Sequence, residues 1–400
     1  MFSALRHSNF RLFWLNGATQ AMAQGMQFLI LGWLVLDITG SSYQLGLVIF
    51  AFGLPNIPFA LLGGVIADRG NRLKLLILTR ICVSTLIFAL AILRISDLLD
   101  IWHVYAVVFL LGTIQGLNMP ARQAIVADLV ERDDMMNAVA LHTMVNQTGQ
   151  IIGPAAAGGI IELVGIGPTL LVNAGLYLSG IGFLLFITGL PRRSATKGVK
   201  LLAELGAGLQ CVRSTPILLT VIGMTLAFAF FALSFRQVMP AIAQEVLEIG
   251  PGGTGLLLLA VGLGSLFGNL ILAGLGDFRR KAGLLMASVL LQSVFLTLFA
   301  WSPWPWVSWV ILLFVGAMSF GFFVPLVVTL IQLNVPPELR GRVLSILGLA
   351  PAVHYLGALP LALAANAISW PVAVTAGAAL SMLVALWLGV WRPVLRRLAE

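Results

Sequence analysis

Gly64-Val65-Ile66-Ala67-Asp68-Arg69-Gly70-Asn71-Arg72-Leu73-Lys74 decides the fold. Four charges crowd a short turn, and apolar runs flank it at about 44–67 and 74–94. About 20 apolar residues cross the hydrocarbon core of a bilayer as one helix. A basic turn between two such runs is the tip of a membrane hairpin held in water. Working outward, the same alternation fills the chain. Of 400 residues, 60% are hydrophobic and 10% charged, against about 25% charged in soluble domains. A water-soluble fold of this length has too little interior for that apolar surface, so lipid must be the solvent.

Hydropathy predicts twelve spans, near 13–36, 44–67, 74–94, 102–122, 137–161, 168–190, 216–240, 252–276, 282–301, 305–332, 343–367 and 371–391. They repeat. Asp68 with its basic turn is matched 209 positions later by Asp277-Phe278-Arg279-Arg280-Lys281, and Gly46 is matched by Gly255 at the same offset. Gly116, Pro120 and Val130 are matched by Gly321, Pro325 and Val335 at an offset of 205. A repeat of that length is the first thing a fold must satisfy. The expected fold is an all-α membrane protein with twelve transmembrane helices in two six-helix pseudo-symmetric bundles. Residues 1–190 form one bundle and 216–400 the other. Residues 191–215 form a linker, in which Leu201, Leu202, Leu205, Leu209 and Val212 share one face of an amphipathic helix.

Lys and Arg mark the cytoplasmic loops. Arg6, Arg11, Arg69, Arg72, Lys74, Arg132, Arg192, Arg193, Lys197, Lys200, Arg213, Arg279, Arg280, Lys281, Arg340, Arg342, Arg392, Arg396 and Arg397 all fall on one side if every span crosses. The other side holds Arg94, Asp97, Asp100, Glu245 and Glu248, with Trp102, Trp301, Trp304, Trp306, Trp309 and Trp370 at its interface. Both termini are therefore expected in the cytoplasm. The basic start at Met1–Arg11 leads straight into a long span, so no cleavable signal is expected. The net charge of +8 follows from this loop bias and implies no nucleic acid. Cys82 and Cys211 make no disulfide framework.

The Gly64-to-Lys74 turn resembles the signature loop of the major facilitator superfamily, although Asn71 stands where that loop usually has glycine. Gly149, Gly153, Pro154, Gly158 and Gly159 on span five resemble the antiporter motif of its exporters. Pro120-Ala121-Arg122-Gln123-Ala124 with Asn137-Ala138, and Glu338-Leu339-Arg340-Gly341-Arg342-Val343-Leu344-Ser345, resemble the branch holding enterobactin exporters and macrolide efflux proteins. The resemblance implies a conformational latch of Gly64, Asp68, Arg69 and Arg72 with Asp277, Arg279 and Arg280. It also implies a location in the bacterial inner membrane, and a cavity lined by spans one, four, seven and ten.

On span one, Asn16, Gln20, Gln24 and Gln27 share one helical face, and so do Gln115, Asn118 and Arg122 on span four. The resemblance turns both stripes to the cavity; interhelical hydrogen bonding is the plainer reading. Phe228, Phe231 and Phe235 on span seven, and Phe320, Phe322 and Phe323 on span ten, would give the cavity an aromatic wall. Core or lipid-facing packing accounts for any single ring equally well. A lone guanidinium inside a span needs a partner or water, so Arg236 is expected to attract an anionic substrate group or Asp37, or to snorkel outward. Asp37, His142 and His354 are candidates for a proton-linked role. The proton gradient as driving force is itself implied by the resemblance alone.

No phosphate-cradling Gly-Lys-Ser/Thr loop is present, and the four histidines are scattered. No cofactor, metal site or enzymatic activity is expected. The expected function is a monomeric, proton-coupled exporter of small amphipathic organic molecules of drug, macrolide or siderophore type, working by alternating access. The alternative is an uptake carrier or a lipid or lysolipid transporter of the same fold.

Overall fold

The computed structural model describes residues 3–188, 206, 210–276 and 280–391, without the side chains of 65, 67–69, 337, 338, 342, 345, 390 and 391. Most of the expected linker, and Asp277 and Arg279, lie outside the described residues. Every regular element among the described residues is helical. In chain order these are α1 (Ser8–Thr39), α2 (Ser42–Arg69), α3 (Arg72–Ile95), α4 (Ile101–Leu129), α5 (Met135–Val164), α6 (Ile166–Leu185), α7 (Pro216–Ala227), α8 (Met239–Glu245), α9 (Pro251–Gly274), α10 (Lys281–Ala300), α11 (Pro305–Gly316), α12 (Val324–Asn334), α13 (Pro337–Leu347), α14 (Ala350–Ala367) and α15 (Trp370–Trp391).

Among the described residues, ten helical stretches are long and apolar enough to cross a membrane. Two of the twelve expected spans do not meet that standard, each for a physical reason. α5 has 30 residues but carries His142, Asn146, Gln147, Gln150 and Glu162, which dilute its apolar character. The expected span 343–367 is broken in two: α13 ends at Leu347, and α14 restarts at Ala350 as 18 residues whose apolar character is diluted by His354, Tyr355 and Asn366.

The chain divides into two compact units. The first comprises 1–44, 51–198 and 250–256; the second comprises 45–50, 199–249 and 257–400. In the first, close packing depends on small residues. A Cβ on Gly25 of α1 would lie 2.5 Å from the Gly149 carbonyl oxygen of α5, and one on Gly149 would lie 2.4 Å from Ala21. Helix backbones in lipid associate through such close approaches, because apolar side chains gain nothing by leaving lipid for each other. Gly112 and Gly116 of α4 sit against the backbone of α2 at Phe52 and Asn56 in the same way.

Turns are fixed locally. α1 stops at Gly40 in the left-handed region (φ 58°), whose N–H donates to the Leu36 carbonyl at 2.8 Å. Asn71 does not adopt the left-handed turn that glycine would favour. Its backbone is extended (φ −81°), and its Oδ1 accepts from the Lys74 N–H at 3.0 Å. Asparagine thus serves as the N-cap of α3, one of the strongest capping residues.

In the second unit the helices break where the sequence suggests continuity. α7 runs into a π-turn at Phe228–Ala232 and a 3₁₀ turn at Ser234–Arg236. α11 and α12 are joined by a π-turn at Ala317–Phe323. π-turns are rare and concentrate at functional sites.

Candidate functional site

Each unit encloses a site of its own. In the first unit the polar stripe of α1 faces inward. Asn16, Gln20, Gln24 and Gln27 are buried, at 2–9% exposure. Gln24 donates to Gln115 Oε1 of α4 at 2.8 Å, and the Tyr177 hydroxyl of α6 donates to Gln27 Oε1 at 2.7 Å. At the centre lies Arg80 of α3, 2% exposed. Its Nη2 donates to Asn16 O at 3.0 Å, Asn16 Oδ1 at 2.6 Å and Gln20 Oε1 at 2.9 Å, and its guanidinium lies 5.7 Å from the Tyr177 ring centroid. A recess of about 20 Å³ is lined by Arg80, Thr79, Tyr177, Gln20, Gln24, Gln27, Gln115 and Asn118, with apolar neighbours.

Arg80 and Tyr177 are missing from the expected site. The signal that singles out Arg236, one charge inside an apolar run, marks Arg80 equally, within Leu75–Ile87. Tyr177 gives no such signal, because an isolated tyrosine in a span is ordinary.

Arg122 does not line this recess. It donates to Asn146 Oδ1 of α5 at 2.8 Å, and Asn146 in turn contacts His142 Nε2 at 3.1 Å. His142 stacks on Phe13, with centroids 5.3 Å apart. The expected stripe of Gln115, Asn118 and Arg122 on span four therefore serves two places, Gln115 and Asn118 at the recess and Arg122 at α5.

The second unit holds a larger chamber of about 410 Å³, within the usual size of small-molecule sites. Phe228, Phe320, Phe323, Arg236, Gln237 and His354 line it with aliphatic residues of α12, α13 and α14. The two π-turns bring Phe228 and Phe323 to 4.1 Å between ring centroids, and the Arg236 guanidinium lies 5.5 Å from the Phe320 centroid. The His354 and Tyr355 rings lie tilted against each other, with centroids 4.1 Å apart.

Phe231 and Phe235 do not join this wall. The π-turn inserts a residue after Phe228, with the Leu233 N–H donating to the Phe228 carbonyl, so positions three and seven further on leave the shared face. Phe231 meets Phe230 edge-on at 5.0 Å. Phe235 is 1% exposed and packs against Phe299 at 6.2 Å. Phe322 is likewise buried in the core.

Asp37 is not the partner of Arg236. Arg94 donates to Asp37 at 2.8 Å and to Asp97 at 3.1 Å, an ion-pair cluster at the ends of α1 and α3. Of the expected latch, Gly64 faces open space, Arg72 pairs with Asp128 at 2.7 Å, and Arg280 precedes α10. Asp68 and Arg69 end α2, and their side chains lie outside the described residues. Of the span-five glycines, Gly149 and Gly153 pack on α1; Gly158 approaches Pro251, and Pro154 approaches Gly255.

Residues 1–397 match a family described as a transmembrane secretion effector. The chain belongs to that family, in the major facilitator superfamily. Several of its relatives are exporters by name. It is 28% identical to the multidrug efflux pump Tap of Mycolicibacterium fortuitum, over 85% of each chain. It is 22% identical to macrolide efflux protein A of Enterococcus faecalis, over 77% of this chain and 96% of the relative. The enterobactin exporter EntS of Shigella boydii is 26% identical, over 76% of this chain and 73% of the relative. The nucleoside transporter NupG superposes with a TM-score of 0.75 at 15% identity, over 96% of this chain and 98% of the other. A bacterial homologue of the lysosomal transporter Spinster gives 0.68 at 15%, over 98% and 97%. At that identity the match establishes the fold, that of a multi-pass membrane transporter.

Proposed function

We propose that this transporter is a secondary exporter of small amphipathic organic molecules in the bacterial inner membrane, driven by the proton gradient and acting as a single chain by alternating access. The observation that carries the reading is the aromatic chamber of the second unit. Its size suits a small organic molecule, and its wall of Phe228, Phe320 and Phe323 carries one guanidinium, Arg236. Phenylalanine faces favour flat or greasy groups, while the guanidinium favours an acceptor-rich or anionic group on the same molecule. A sugar or an inorganic ion would find too few polar partners there. The export direction follows the relatives, which are named for multidrug, macrolide and enterobactin efflux. Proton coupling is proposed on the same ground, with His142 and His354 as the titratable groups inside the helices and Asp37 at the end of α1.

Everted membrane vesicles test this reading. An imposed acid-inside gradient should drive uptake of a labelled macrolide or catecholate siderophore, and a protonophore should abolish it. Uptake that persists after the gradient collapses would remove proton coupling. Transport seen only in right-side-out vesicles would favour an uptake carrier.

A further inference from the structure

Arg80 poses a problem that the exporter reading leaves unsolved. A guanidinium keeps its charge at any accessible pH, and a charge inside a membrane needs a counter-charge or water. Arg80 is 2% exposed. Among the described residues no carboxylate pairs with it; its bonds go to the neutral oxygens of Asn16 and Gln20. Its Nη1 is buried and meets no acceptor among the described residues. Gly180 of α6 lies beside that atom, where an added Cβ would come within 3.1 Å of it.

The adjoining recess presents donors. Gln20 Oε1 is occupied by Arg80, Gln27 Oε1 by the Tyr177 hydroxyl, and Gln115 Oε1 by Gln24. The amide nitrogens of Gln20, Gln27 and Gln115 make no bond among the described residues and line or border the same space. Arg80 can only donate, so the Gln20 amide cannot be reversed. The Gln24–Gln115 pair can reverse its bond and offer either an N–H or a C=O. Three amide donors around one uncompensated cation make an anion receptor. The space of about 20 Å³ holds roughly one water or one halide ion; a water there would leave the charge unbalanced.

We propose that the recess beside Arg80 binds one small anionic group, either a resident halide or the carboxylate of a transported molecule. The site lies wholly in the first unit and is separate from the aromatic chamber. It stands whatever the chamber carries, because its test reads binding and no transport.

The purified full-length protein is melted in sodium gluconate, an anion too bulky for the recess, and titrated with chloride, bromide or acetate at constant ionic strength. A saturable rise of about 3–5 °C is expected at roughly a hundred times Kd. Halide response without acetate response identifies a resident ion. Competition between acetate and bromide identifies a carboxylate headgroup. Arg80→Gln should lose the response, whereas Arg213→Gln, which removes an exposed charge, should keep it. Gln20→Glu guards against a misfolded Arg80 variant. It places a carboxylate on the guanidinium, so it should melt higher in gluconate and ignore chloride. A wild-type protein indifferent to all three anions overturns the proposal, and so does a full chloride response in Gln20→Glu.

Discussion

The Arg72 guanidinium at the start of α3 donates to Asp128 Oδ2 at 2.7 Å and to the Ala124 carbonyl at 3.0 Å, in the last two turns of α4. Both side chains are 11% exposed. A cation at a helix C-terminus also opposes the negative end of the helix dipole. One side chain therefore fastens two helices at the loop whose charges first suggested the fold. Arg72→Ala takes the cation from a nearly buried carboxylate and should lower stability by about 2–3 kcal/mol. Asp128→Asn keeps an acceptor oxygen and should cost less. A double-mutant cycle in thermal unfolding measures the coupling; strictly additive losses would show that the contact carries no energy.

Arg236 gives the second prediction. If the chamber's cargo carries a negative group, Arg236→Gln should raise KM about tenfold, equivalent to about 1.4 kcal/mol, for an anionic substrate. A neutral analogue of the same size should be nearly unaffected. Initial rates in proteoliposomes distinguish the two, and equal losses for both analogues would assign Arg236 a packing role.

The glycines of α5 provide an internal control. A Cβ on Gly149 would collide with Ala21 at 2.4 Å, whereas Gly159 has open space around it. Gly149→Val must push α1 off α5 and should destabilise by about 1–3 kcal/mol or more, with transport lost. Gly159→Ala should be neutral or slightly stabilising, since alanine favours the helix by about 1 kcal/mol. Melting temperatures of the two variants check this, and equal tolerance at both positions would mean that α1 and α5 do not pack through glycine.

The sequence carries the membrane helices and the inward stripe of α1, because both are periodicities of residue type and a helix preserves period. Gln20, Gln24 and Gln27 sit on one face in the sequence and in the structure. The aromatic wall was legible only in part. Phe228 is placed at the chamber, but the π-turn that follows it shifts the register, and no residue type announces that insertion. Phe231 and Phe235 were lost for that reason. Partner choice was also hidden: Asp37 and Arg236 look complementary along the chain, yet it is Arg94 that pairs with Asp37. Arg80 was readable, since a single arginine among leucines and isoleucines carries the same physical alarm as Arg236.

A 3₁₀ turn at Ser3–Arg6 is tied to α5 by the Ala4 N–H, which donates to Asn137 Oδ1 at 3.1 Å, and by His7, whose Nε2 meets Asp134 Oδ2 at 2.8 Å. Hydrogen bonds from Ser3 and His7, aided by the charges of His7 and Arg6, hold the Asp134 carboxyl below its ordinary value. A carboxyl depressed in the folded state binds fewer protons there than in the unfolded chain. Its stabilising contribution is therefore complete above the unfolded value of about 3.9, and it disappears as pH falls through the lower folded value. The wild type should melt above Asp134→Asn at about pH 5. That margin should shrink below about pH 4 and vanish at lower pH. Hydrogen exchange over residues 3–8 should follow the same course in the wild type and stay fast in the variant. A margin unchanged down to pH 3 would show that the Asp134 charge does not hold the turn.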